Sequence, residues 1–206
     1  MIDLLALTST GLAFLVVTIA PGPATISNAT VAMSYGRNTG LKYGLGLSFG
    51  LAFWGLIAAS GMGAVLQGSI YLLVVLKVLG GLYLLWLAFL SGRSAWRPDT
   101  EKSVKSNGQS WFFRGLLLNM SNPKAIVAWM AALSVGLNSN DGIGAVAVAT
   151  TLCIGVGFAT YALYSVLFSI GGIMRGYRRF SRMINGIVSG LFALAGFSLI
   201  RSAFIR

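Results

Sequence analysis

The chain has 206 residues, 56% of them hydrophobic and only 9% charged, where a soluble domain carries about 25% charge. Its fifteen Lys and Arg against four Asp and Glu give a net charge of +11, and the mean hydropathy is +0.82. Too few charges to clothe a globule, no His, a single Cys153, and acids only at Asp3, Asp99, Glu101 and Asp141 exclude a soluble domain, His or Cys chemistry, paired-carboxylate catalysis and an oxygen-ligand metal cage.

What remains is an all-α integral membrane protein. A helix needs about 20 apolar residues to cross a bilayer, and the charge-free runs 4–36, 43–76, 78–92, 142–174 and 183–200 supply them. Turn-forming clusters at Tyr35 to Asn38, Gln67 to Ser69, Asn138 to Gly142 and Arg175 to Arg182 separate the runs. The reading is six transmembrane helices, near 4–34, 42–66, 70–92, 114–136, 143–172 and 183–203. The first is a span and not a signal peptide, because Asp3 precedes it and no Lys or Arg does.

Residues 93–113 form the one long polar stretch and divide the chain into a first half, 1–92, and a second, 114–206. The loops after spans 1, 3 and 5 hold 11 basic residues, against Arg201 and Arg206 on the opposite side. The positive-inside rule then places the 93–113 linker in the cytoplasm and both termini outside it. Basic residues that flank spans serve topology, so no nucleic-acid partner is expected despite the +11 charge. An odd number of spans per half turns the second half upside down. The result is a single transporter domain, 1–206, of two inverted three-helix repeats, a common plan of secondary transporters.

Each half opens with a proline-interrupted span, at Pro21-Gly22-Pro23 and at Asn122-Pro123-Lys124. Proline removes an amide donor and leaves carbonyls that must be satisfied by protein or a watery cavity. Interrupted spans at matching places are the strongest sequence pointer to a transport site.

Lys124 falls about 15 Å into span 4 at 1.5 Å per residue, where a lysine costs at least about 2.5–3.5 kcal/mol. Such a residue is a functional candidate; snorkelling, the alternative, reaches the interface poorly from that depth. Lys77 lies nearer the start of span 3, where snorkelling and function are both open. No acid stands inside a span, so the counter-charges are helix carbonyls or a substrate carboxylate. Gly40, Gly44, Gly46, Gly50 and Gly80-Gly81 offer faces for close helix packing. Asn28, Asn119, Asn122 and Asn185 are placed to bond across helices, and Trp54, Trp86, Trp96, Trp111 and Trp129 are expected partly as interfacial anchors.

Ala20-Pro21-Gly22-Pro23, Gly36-Arg37-Asn38-Thr39-Gly40, Asn119 to Ala125 with Gly115 upstream, Lys77 with Gly80 to Leu84, and Asn185-Gly186 to Leu199 together resemble the lysine exporter family (LysE/RhtB, the homoserine/threonine-efflux type). The resemblance covers essentially the whole chain. It implies export of amino acids or close derivatives across the bacterial inner membrane by a multi-pass secondary transporter driven by an ion gradient, with a proton as the expected coupling ion. It needs no cofactor or metal, is not an enzyme, and is compatible with a homo-oligomer in the lipid bilayer. The implied substrate-binding elements are Pro21, Gly22, Pro23, Asn122, Pro123 and Lys124, with Lys77 added from its place in span 3. Some members carry an acid in the second span where this chain reads Ser48-Phe49-Gly50-Leu51, which points away from a basic substrate. A neutral or hydroxylated amino acid, such as threonine, homoserine or leucine, is favoured; another small metabolite or an inorganic anion is the alternative.

Overall fold

A computed structural model describes residues 4–68, 70–96, 110–136 and 142–204. The described residues form eight α-helices and no strand: α1 (Leu4–Ile19), α2 (Pro23–Tyr35), α3 (Arg37–Gly68), α4 (Ile70–Trp96), α5 (Trp111–Met120), α6 (Pro123–Gly136), α7 (Ile143–Phe168) and α8 (Ile173–Phe204). The Pro21-Gly22-Pro23 segment breaks the first span into α1 and α2, bent by 58°. The stretch expected as span 4 is divided into α5 and α6 directly before Pro123. By length and apolarity α3, α7 and α8 can each cross a bilayer, and α1 with α2 makes a fourth crossing as one bent span.

Several boundaries differ from expectation. The stretch from Arg175 to Arg182, expected as a turn, lies within α8. The chain turns earlier, between Phe168 and Ile173, where Gly172 takes a φ of +134°, a region that glycine enters at little cost. Nothing between Arg175 and Arg182 lacks a backbone N–H, so a basic helical turn continues there. The linker is also shorter at both ends, since Arg93 to Trp96 belong to α4 and Trp111 to Phe113 to α5. Linker positions 97–109, the 137–141 part of the expected Asn138 turn and position 69 lie outside the described residues.

Burial is inverted relative to a soluble protein. Leu5, Phe89, Leu194 and Phe197 are all more than 60% exposed, whereas Asn28, Asn119 and Ser165 are fully buried. Apolar side chains outside and hydrogen-bonded polar ones inside are what hydrocarbon as solvent selects. The chain is a multi-pass membrane protein.

Two glycine crossings set the close helix pairs. A Cβ on Gly81 would lie 2.9 Å from the Gly196 carbonyl, and one on Gly196 would lie 2.8 Å from the Gly81 carbonyl, so α4 and α8 touch backbone to backbone. Between α3 and α5 the same reciprocity joins Gly46 to the Phe112 carbonyl and Gly115 to the Tyr43 carbonyl. The small faces expected from the glycine spacing are thus contact faces. Trp129 corrects the anchor expectation: it is fully buried, packs on Phe14 with ring centroids 4.4 Å apart, and donates its indole N–H to the Leu51 carbonyl at 2.8 Å. With its polar tip satisfied internally, it has no need of the interface.

Candidate functional site

The site begins with what two prolines do to α1. In a continuous helix the amides of residues 21 and 23 would bond the carbonyls of Val17 and Ile19; proline has no such donor. Other helices supply substitutes. The Tyr164 hydroxyl of α7 donates to the Ile19 carbonyl at 2.7 Å. Lys124 of α6 donates its Nζ to the Ala20 carbonyl at 2.8 Å. Pro23 then restarts the helix at the first position of α2, where its fixed φ is favourable. The Thr25 hydroxyl stitches the gap, accepting from the Gly22 N–H at 3.0 Å and lying 3.2 Å from the carbonyls of Ala20 and Gly22.

The second break is covered mostly by its own side chains, with one borrowed from α3: the Trp54 indole N–H donates to the Met120 carbonyl at 2.9 Å. Asn122, buried, accepts the Lys124 backbone N–H on its Oδ1 at 3.1 Å, capping α6 as asparagine does at helix starts. Its Nδ2 donates to Asn119 Oδ1 at 3.1 Å. Asn119, fully buried near the end of α5, donates through Nδ2 to the Leu47 carbonyl at 2.8 Å and to the Tyr161 hydroxyl at 3.1 Å. One amide therefore ties α5 to α3 and α7.

The two breaks meet through one side chain. A Cβ on Gly22 would stand 3.0 Å from Lys124 Nζ and 3.2 Å from its Cδ, so the lysine stem crosses the first break in the space that glycine leaves open. Phe192 of α8 lies beyond, its ring centroid 6.0 Å from Nζ, within reach of a cation–π attraction. The four acids of the chain all lie outside the described residues, and Lys124 faces a carbonyl there, not a carboxylate. The N-termini of α2 and α6 open onto the same place, adding positive helix-dipole potential.

Between the breaks lies a cavity of about 20 Å³, with Lys124, Gly22, Thr25, Asn119, Asn122 and Tyr161 on its polar side and Val17, Leu51 and Ala128 among its apolar walls. That volume is about one water molecule and far less than an amino acid, so this is a closed arrangement that must widen to take a solute.

Of the residues singled out from sequence, Gly22, Asn122 and Lys124 converge here, and Pro21, Pro23 and Pro123 make the breaks that bring them together. Lys77 is on α4, and its side chain lies outside the described residues. Sequence reasoning did not place Thr25, Asn119 or Tyr161 in the site. A usable signal existed for Tyr161: Cys153, Gly157, Tyr161 and Ser165 recur every fourth residue along α7, and all four are buried. That is a small and polar stripe on an otherwise apolar helix.

Comparison with known proteins identifies the family. The family model for LysE type translocators matches residues 15–203. A threonine efflux protein of Escherichia coli K12 is 30% identical over 200 residues, covering 91% of this chain and 94% of that protein. A leucine efflux protein of Enterobacter sp. 638 is 26% identical, covering 87% of each. An uncharacterized membrane protein of Haemophilus influenzae is 28% identical over 87% of this chain and 89% of its own. No solved structure matches. The chain belongs to the LysE type translocator family.

Proposed function

We propose that this translocator exports a neutral or hydroxylated amino acid from the bacterial cytoplasm across the inner membrane, as a secondary transporter coupled to the proton gradient. The observation that carries this reading is Lys124: an ammonium held at 2.8 Å on a broken-helix carbonyl, with no carboxylate beside it among the described residues, at a cavity between two helix breaks. An amino-acid carboxylate would complete its charge, and the dipoles of α2 and α6 would add to the attraction. The efflux relatives handle threonine and leucine by name, which favours a neutral side chain.

The reading extends to architecture: six spans in two inverted three-span repeats, 1–92 and 114–206, with the 93–113 linker in the cytoplasm. Two features support it. Each half runs broken pair, then two long helices. The counterpart helices also pair across the halves, α4 on α8 and α3 on α7, while α1 packs on α6.

The test is transport itself. Cells expressing the protein should lose intracellular threonine or leucine after feeding with peptides containing them, and excrete it faster than cells without the protein. Collapse of the proton gradient should stop the excretion. Equal pools and excretion in both strains would overturn the export reading. Excretion that survives gradient collapse would overturn the coupling alone.

A further inference from the structure

Tyr161 is 4% exposed and stands at the cavity with Lys124. Its hydroxyl takes a hydrogen bond from Asn119 Nδ2 at 3.1 Å. The orientation of that amide is fixed by its surroundings. Rotated by half a turn, Asn119 would set its oxygen against the Leu47 carbonyl and its NH₂ against the NH₂ of Asn122, and lose both bonds. Asn119 is thus the donor and Tyr161 the acceptor. The hydroxyl's own hydrogen must point elsewhere, and no acceptor for it lies within hydrogen-bonding distance among the described residues. A phenol with an unspent donor in an apolar enclosure is costly, and phenylalanine would fill the same space without that cost.

We propose that Tyr161 is a substrate-binding residue whose hydroxyl donates to the α-carboxylate of the transported amino acid, sharing that carboxylate with Lys124 Nζ. This rests on the export reading and deepens it. Lys124 supplies charge and would accept any small anion. The Tyr161 hydroxyl, aimed by Asn119, supplies a second donor at a set angle and selects a carboxylate over a carboxamide, whose single oxygen can take one donor while its NH₂ opposes the other. Asn119 is then a positioning residue that fixes the direction of the hydroxyl without touching substrate.

The experiment uses the full chain in proteoliposomes, with radiolabelled threonine and leucine as substrates and the carboxamide of each as competitor. Wild type should transport the acid and be poorly inhibited by the amide. Tyr161→Phe, compared per inserted molecule, should raise the half-saturation concentration about tenfold or more, the loss of a hydrogen bond to a charged group. It should also narrow the discrimination between acid and amide. A purely structural tyrosine would leave that discrimination unchanged. Wild-type half-saturation and discrimination in Tyr161→Phe would overturn the proposal and leave the export reading standing. No transport of either amino acid by wild type would instead overturn both. Should Tyr161→Phe fail to insert, 3-fluorotyrosine at position 161, a stronger donor of nearly the same shape, should lower the half-saturation concentration; no change would again overturn the proposal.

Discussion

The two broken helices solve the same problem with different shares of borrowed and local side chains. At Pro21-Gly22-Pro23 the chain exposes backbone and lets other helices cover it: Tyr164 takes the Ile19 carbonyl and Lys124 takes that of Ala20. At Asn122-Pro123 one indole is borrowed, that of Trp54 on the Met120 carbonyl, while Asn122 caps its own helix and holds Asn119. The first break receives and the second provides. Charge and directed donors therefore sit in the second half of the chain, whereas the first contributes carbonyls, a glycine-sized gap and a hinge.

Lys124→Met gives this comparison its hardest test. Removing the ammonium makes α6 more apolar, so insertion should be unaffected. Export per inserted molecule should fall by at least about a hundredfold, as expected when a buried charge loses its partner. Lys124→Arg should rescue only partly, since a planar guanidinium does not fit the gap over Gly22. Normal transport by inserted Lys124→Met would remove the providing break from the mechanism.

Asn119→Ala probes how far the second break depends on its own side chains. It strips partners from the Leu47 carbonyl, the Tyr161 hydroxyl and Asn122 Nδ2 together. Left-over buried groups cost about 1–3 kcal/mol each in water-soluble proteins, with less expected for membrane helices, so a loss of about 2–3 kcal/mol in detergent unfolding is expected. A loss below about 0.5 kcal/mol would mean that the helices re-pair without it.

Much of this was legible beforehand, for a definite reason. A bilayer turns apolar length into spans and proline into breaks, so Pro21, Pro23, Pro123 and Lys124 announce themselves locally. The basic turn at Arg175 to Arg182 misled, because charge marks the membrane surface and not the end of a helix. Asn119 and Tyr161 were illegible as a pair: their bond spans 42 residues of sequence, and an asparagine or tyrosine in an apolar run does not say which helix it will face. Trp129 failed similarly, its partner carbonyl being 78 residues away.

Gly22→Ala sharpens the comparison at the point of contact. The backbone there is extended, with φ at −171°, so alanine is sterically acceptable to the chain itself. The new methyl would instead press on the lysine stem, 3.0 Å from Nζ, a side chain able to move aside. Folding should therefore be nearly unchanged while export falls about tenfold, the effect of roughly 1.4 kcal/mol of lost binding. A drop in thermal stability with unaltered half-saturation would show that Gly22 serves the hinge and not the lysine.

The smallest effect is expected at Thr25, the one side chain that the receiving break contributes to its own repair. Thr25→Val keeps shape and volume but removes the hydroxyl that accepts from the Gly22 N–H at 3.0 Å and lies 3.2 Å from two carbonyls. Tyr164 and Lys124 still hold the end of α1 in that variant, so the break persists and only its stitching is lost. The cost should be about 1 kcal/mol of stability, that of one cap, with export reduced only a few-fold. Thr25→Ser, which keeps the oxygen, should recover most of it. The comparison depends on this being a minor loss: in the proposed function Lys124 answers to substrate charge, whereas Thr25 answers only to backbone. If inserted Thr25→Val abolished export as fully as Lys124→Met, the first break would carry chemistry of its own and the division into receiver and provider would fail.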